Sequence, residues 1–473
     1  MTTTQPRPET LGEATLGELA QALRGDLIRP GDPAYDEARS IWNGAHDRNP
    51  ALIVRCRGVA DVLKAVEFAR SEGLPIAVRG GGHSVAGFST VDDGLVLDLS
   101  AMNAVHVDPD RRTVTAQAGC LWSDVDAEAQ AFGLAVTGGL VSTTGIAGFT
   151  LGGGIGWLVR RCGLTCDNLV GADIVTADGQ FLHVSEDEHP DLLWALRGGG
   201  GNFGVVTSFE LRMHEVGPTV FAGLVFYPGE DADRVLRGFR TAAAGAPDEL
   251  SLAVNLTTAP PAPFLPEEVH GKPVVAVLGV WSGPPEDGDA ATRPFRELAP
   301  VVVDLFAPMP YVAMQTLLDP LYPRGMWNYF RSAFFTDLDD ATTAALVSSY
   351  AQAPNALSEL HIHHLGGAMA RVPAGATAFG TRDREFILNA VARTPDADGH
   401  DDVVAWARSA TAALGPDAAA YVNFTGEAGE DRVRASYPAA TYQRLVTVKD
   451  RYDPANMFRL NQNIRPSAAA RRD

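Results

Sequence analysis

The chemistry in this 473-residue chain is concentrated where glycine runs meet ionisable side chains. RGGGHSVAG, residues 79–87, follows the strand-like IAVRG, and three consecutive glycines have no side chains to stop their N–H groups turning onto an anion. A tight turn between strands would use the same residues. His83, directly after the glycines, favours the anion loop, because an imidazole held beside it is placed to touch a bound cofactor. GFTLGGGIGW (148–157) and RGGGGNFG (197–204) are two further clusters, the second matching G-x-G-x-x-G through Gly199, Gly201 and Gly204. A dinucleotide fingerprint must follow a strand and open a helix. Here HPDLLWAL reads as a helix before the glycines and VVTSFELRM as a strand after them, so the order is reversed. In ELHIHHLGG (359–367), strand alternation places Glu359, His361 and His363 on one face and His364 on the other. Zinc is one reading of that face and polar packing another. Two histidines one strand step apart plus a glutamate, with no further ligand in evidence, make a weak zinc pattern, and no metal is expected.

The elements that must position these residues fall into two lobes. LIVRC, IAVRG, LVLDL, AVHVD, TVTAQAG, GADIVTADGQFLHV and GVVTSFELRM read as strands, with ADVLKAVEFARSEG and WSDVDAEAQAFG as helices that end at glycine. From about residue 216 the texture changes: Pro-rich TTAPPAPFLPEE alternates with strand-like VVAVLGVW and helical ATTAALVSSYAQA. The last segment reads as a helix stopped at Asp453 and Pro454, then an extended tail. The formal net charge of −20 argues against a nucleic-acid partner, which needs clustered Lys and Arg. No stretch approaches the roughly 20 apolar residues of a membrane span, so no membrane partner is expected. Cys56, Cys120, Cys162 and Cys166 form no CxxC pair, and the N-terminus has no signal-peptide pattern. Both features predict a cytoplasmic protein.

RGGGHSVAGFST, GGLVSTTGIAGFTLGGGIGWLVRRCGLTCDNL, GNFGVVTSFEL and VKDRYDPANMFRLNQNIRP together resemble the berberine-bridge-enzyme-like branch of the vanillyl-alcohol-oxidase superfamily, including its bacterial members. The resemblance spans nearly the whole chain. It implies an α+β fold: a PCMH-type FAD-binding domain of two subdomains at 1–215 (core about 46–215), then a substrate domain at 216–420. That domain would carry an antiparallel sheet flanked by helices, and a C-terminal segment at 421–473 would return to the FAD domain.

The resemblance also implies FAD held covalently through His83, with Arg79, Gly80, Gly81, Gly82 and Ser84 around the pyrophosphate. A neutral imidazole nitrogen can add to the electrophilic form of the flavin 8α-methyl, and the bond would make hydride acceptance easier. Some members add a cysteine link to flavin C6. Val141 stands at that position here, so attachment through His83 only is expected. Thr143, Thr144, Gly145 and Gly148 would contact the flavin, Val206 the adenine end, and Asn461 and Asn463 would close over the ring.

For the chemistry, the resemblance points to Tyr421 of YVNF as the base, its phenol lowered by a charged neighbour such as His361 or His363. Asn389 falls where the berberine bridge enzyme has a carboxylate. Glu359 and Trp157 are further substrate-side candidates. The expected activity is hydride transfer from a small organic substrate to FAD and then to oxygen. A dehydrogenase using another acceptor is the alternative, since Ile146 occupies the family's oxygen-gating position, and a non-catalytic flavin-binding homologue is a third reading.

Overall fold

The computed structural model describes residues 11–415, 418–427 and 429–468. Its first half holds two small sheets. Strands β1 (Asp26–Ile28), β2 (Leu52–Arg55), β3 (Ile76–Arg79) and β4 (Leu95–Asp98) form one in the order β1-β2-β4-β3. The β2–β4 and β3–β4 pairs are parallel, and helix α1 (Val59–Ser71) supplies the crossover after β2. Strands β5 (Val105–Asp108), β6 (Thr113–Gln117), β7 (Leu169–Val175), β8 (Phe181–Ser185) and β9 (Val205–Arg212) form an antiparallel sheet ordered β5-β6-β9-β7-β8. Val54, Leu95 and Leu97 of the first sheet share one apolar core with Ala172, Ile174 and Phe209 of the second.

The second half is built on a larger antiparallel sheet. Its long strands are β10 (Thr219–Pro228), β11 (Leu250–Thr258), β12 (Pro273–Trp281), β13 (Trp327–Phe335), β14 (Glu359–His364) and β15 (Phe386–Thr394). They lie in the order β10-β12-β11-β14-β15-β13. Alternation decides what each face does. Leu252, Val254 and Leu256 of β11, Leu360 and Ile362 of β14, and Leu388 and Ala390 of β15 pack under three helices: Ala232–Ala243, Asp340–Ala351 and His400–Ala412. The residues between them, Ala253, Asn255, His361, His363, Asn389 and Val391, face the first half.

The final helix, Ala439–Tyr452, packs Leu445, Val448 and Tyr452 into the core of the first half. Lys449, wholly buried, donates to Asp453 Oδ2 (2.7 Å), Asn202 O (2.7 Å) and Phe458 O (2.9 Å). Asp453 in turn accepts from the backbone of Met457 and Phe458, so the pair is fully satisfied. A buried ion pair adds little net stability but is costly to break on one side. This one fixes the tail against the RGGGGNFG loop. Among the described residues, no helix is long and apolar enough to cross a membrane, and no group of His, Cys, Asp and Glu stands where it could hold a metal.

Candidate active site

The two halves enclose a cavity of about 350 Å³. Its floor is largely backbone. At the end of β3 the chain turns through Gly80–Gly82, with Gly82 at φ +70°. A Cβ on Gly81 would lie 2.5 Å from Gly145 N and Cα, and one on Gly145 would lie 2.3 Å from Gly81 N. The 80–84 and 144–148 loops therefore meet backbone to backbone. Gly148 and Gly201 line the cavity with open space where a Cβ would stand, leaving a bare surface for a flat group.

His83 lies on this floor, stacked on Trp42 with ring centroids 4.6 Å apart and planes 17° from parallel. Trp42 is itself fixed, its backbone N–H donating to Gly82 O and its indole N–H to Tyr322 O, both at 3.2 Å. His83 Nε2 is 3.0 Å from Thr143 Oγ1. Burial, with Arg324 nearby, pushes the imidazole down to about 4, so it is neutral near pH 7.

The roof is made of side chains. Register aligns Asn255, His361 and Asn389 across β11, β14 and β15, and sets His363 beside Ala253. His361 Nε2 is 2.6 Å from Glu359 Oε2, and the other oxygen of Glu359 accepts from Arg393 at 2.6 Å. Burial opposes ionisation of Glu359, yet the hydrogen bond from His361 and the charge of Arg393 hold its carboxyl below the ordinary value. Tyr322, under the Arg393 guanidinium, places its hydroxyl 3.4 Å from His361 Nε2. Burial and the neighbouring His361 push His363 down to about 3, and among the described residues its Nε2 has no partner.

Of the residues singled out from the sequence, fourteen meet at this cavity: Gly80, Gly81, Gly82, His83, Ser84, Thr144, Gly145, Gly148, Trp157, Val206, His361, His363, Asn389 and Asn461. Val141 also lines it, whereas Cys162 and Cys166 are buried elsewhere. Thr143 reaches the cavity only through His83, and Glu359 only through His361. Asn463 does not line it.

Three expectations require correction. The Arg79 guanidinium does not line the cavity; its Nε and Nη1 donate to the carbonyls of Ser89 and Ala38. Ile146 is buried in the core of the first half, and the small Ala147 is what that turn presents to the cavity. Tyr421 is not poised as a base. The turn after it presents Val422, Asn423 and Phe424 to the cavity, while the phenol oxygen accepts from the N–H groups of Gly154 (2.9 Å) and Ile155 (3.1 Å) and from Asn423 Nδ2 (2.9 Å). Burial pushes that phenol up to about 12 despite these donors. Phe379 and Phe424 flank it, not the histidines.

Sequence reasoning missed Trp42, Tyr322, Phe330, Asn423 and Phe424 as cavity residues and Arg393 as the support of Glu359. Asn423 and Phe424 were within reach, since they belong to the YVNF element. The others come from segments without a glycine run or a titratable cluster.

FAD fits what is present. The bare glycine surface suits a planar ring, and the 80–84 turn can direct N–H groups at a pyrophosphate. Among the described residues, the buried Asn461 Oδ1 and Gln462 Oε1 beside the cavity find no partner. Residues 50–185 match the FAD binding domain family, and residues 420–465 match the berberine and berberine-like family. The (R)-6-hydroxynicotine oxidase of Paenarthrobacter nicotinovorans is 32% identical over 95% of this chain and 98% of its own. An FAD-linked oxidoreductase of Dictyostelium discoideum is 32% identical, again over 95% of this chain and 97% of its own. The crystal structure of 6-hydroxy-D-nicotine oxidase from Arthrobacter nicotinovorans superposes with a TM-score of 0.84 at 30% identity, covering 93% of this chain and 98% of that one. Glucooligosaccharide oxidase from Acremonium strictum, whose FAD is 6-S-cysteinyl and 8α-N1-histidyl, shares the fold at 23% identity and TM-score 0.83, over 95% of this chain and 98% of that one.

Proposed function

This chain belongs to the berberine-like family of FAD-linked oxidoreductases, and from that membership we propose an oxidase that holds FAD covalently through His83 alone and oxidises an uncharged small molecule. The observation that carries the reading is the single cavity joining the glycine floor with His83 to the histidine roof of β14.

FAD, when bound, supplies a two-electron acceptor for substrate hydride. Gly80–Gly82 and Ser84 would hold its pyrophosphate, and the bare faces of Gly148 and Gly201 its ring system. Asn461 and Gln462 would add polar contacts. Valine at 141 offers no thiol, which supports attachment at His83 only.

On the substrate side, His361 is the base this geometry favours. It lines the cavity, and Glu359 accepts the hydrogen bond that orients it and stabilises the positive charge it gains on taking a hydroxyl proton. Arg393 keeps Glu359 ionised. His363 and Asn389 are placed to hydrogen-bond the reacting substituent, and Trp157, Phe330 and Phe424 to exclude water from it. Among the described residues, no Asp, Glu, Lys or Arg lines the cavity, so beside the histidine roof no permanent charge would pair with a carboxylate, phosphate or ammonium group of the substrate. An alcohol or phenol on a largely apolar skeleton suits this lining better than a charged amine or acid. The small Ala147 supports oxygen as the final acceptor over a larger one.

Anaerobic mixing with panels of neutral alcohols, phenols, sugars and charged amines tests this directly. Neutral apolar alcohols or phenols should bleach the flavin absorbance fastest. Bleaching by charged substrates alone would overturn the reading.

A further inference from the structure

We propose that Thr143 is the positioning residue for flavin attachment: its hydroxyl holds His83 Nε2 and so presents Nδ1 as the bond-forming nitrogen. The inference rests on the covalent reading above. It stands on geometry that needs no cofactor to see. Thr143 Oγ1 lies 3.0 Å from His83 Nε2, and among the described residues no hydrogen bond engages Nδ1. The ring cannot easily swap its two nitrogens by rotation, because its face is stacked on Trp42 and that indole is tied at both its backbone and ring nitrogens.

A hydroxyl suits this task because it can both accept and donate. Before attachment, neutral His83 carries its proton on one nitrogen only. With Nε2–H donating to Thr143 Oγ1, the lone pair is on Nδ1, and the low basicity of this imidazole keeps it from being protonated away. Attachment replaces one C–H of the flavin 8α-methyl and the imidazole N–H with a C–N bond. Both hydrogens and the electron pair pass to the isoalloxazine, so the attached flavin would be two-electron reduced, and dioxygen or another two-electron acceptor would return it to the oxidised state. After attachment Nε2 carries the lone pair, and the same hydroxyl reverses its role and donates to it. Serine can repeat both roles, whereas valine, of nearly the same shape as threonine, can perform neither.

The test follows the bond itself and not turnover. Full-length wild type, Thr143→Ser and Thr143→Val, produced under riboflavin limitation, are incubated with FAD and sampled into acid. Flavin is then measured in the pellet and in the supernatant. Thr143→Val should bind FAD but transfer it to the acid-stable fraction about tenfold or more slowly, the scale of one lost hydrogen bond, while Thr143→Ser should stay near the wild-type rate. Three results overturn the proposal: attachment in Thr143→Val at the wild-type rate, a serine variant as slow as valine, or a valine variant with no flavin in either fraction. A wild-type protein whose flavin is all in the supernatant would instead remove the covalent reading on which the proposal stands.

Discussion

Below the cavity the wall is mainly backbone, with Gly81 against Gly145 and Gly148 and Gly201 left bare. Above it the wall is side chain, with Asn255, His361, His363 and Asn389 projecting from a pleated face. A backbone wall can hold a cofactor without side-chain chemistry; contact restricts Gly81 and Gly145 to glycine and conformation restricts Gly82, while Gly148 and Gly201 simply leave the surface bare. A pleated face keeps its frame whatever its alternate side chains are, so it can change substrate without changing fold. The contrast separates holding the cofactor from choosing the reaction.

The largest effect expected is on the floor. His83→Ala should abolish acid-stable flavin, read as a colourless pellet and a mass equal to the polypeptide alone, while the roof remains folded by circular dichroism. A yellow pellet from this variant would place the attachment elsewhere. Gly81→Ala attacks the floor without touching its chemistry: the added methyl would sit 2.5 Å from Gly145. Soluble protein should fall sharply, and what survives should bind FAD poorly. Normal FAD loading would mean that the two loops separate freely.

A roof substitution should leave the flavin attached and slow its reduction. For His361→Gln, stopped-flow anaerobic reduction should fall by roughly 10²- to 10⁴-fold, the usual range for a general base, with acid-stable flavin at wild-type content. Glu359→Gln should slow reduction less and shift its pH profile, since it only orients and charges the histidine. Reduction of His361→Gln at the wild-type rate would remove it as the base.

Tyr421→Phe should separate structure from catalysis. The buried backbone N–H groups of Gly154 and Ile155 lose their acceptor, while Asn423 Nδ2 keeps Phe149 O, so stability should drop by about 1–3 kcal/mol, measured by denaturant titration, while the reduction rate changes little. A 10²-fold slower reduction with unchanged stability would return the tyrosine to the chemistry.

The smallest effect sits where the two halves of the molecule meet. Buried Asp126, on the helix Trp122–Gln130, accepts from Gln315 of the second half at 2.9 Å, and burial pushes its carboxyl up to about 7. A raised pKa means the fold favours the protonated form. That contribution is full below the ordinary carboxyl value and fades as pH rises through 7. Asp126→Asn should flatten this part of the pH dependence of melting temperature and gain most above pH 7. An unaltered profile would mean the carboxyl titrates normally.

The floor was the more legible wall. Three glycines and a histidine after a strand constrain position and chemistry together, and alternation in ELHIHHLGG set the cavity-facing residues of β14. Arg79 and Tyr421 misled for one physical reason: a motif fixes where a residue lies along the chain, but its side-chain direction depends on carbonyls and N–H groups brought from elsewhere. Ala38, Ser89, Gly154 and Ile155 supply those groups here. Trp42 and Tyr322 could not be read because their relation to His83 exists only after segments about 40 and 240 residues apart in the chain have met.

The buried Lys449–Asp453 clasp bears on biosynthesis. Trp42 and Gln462 line the same cavity from opposite ends of the sequence, and Gln462 reaches it in the tail that Lys449 fixes to Asn202 and Phe458. At about 5–20 residues per second of elongation, tens of seconds separate the emergence of the two. During that interval the nascent chain carries its glycine loops without their closing segment. On the covalent reading, flavin loading should therefore follow completion of the chain, and a shortage of riboflavin should leave complete polypeptide awaiting its cofactor.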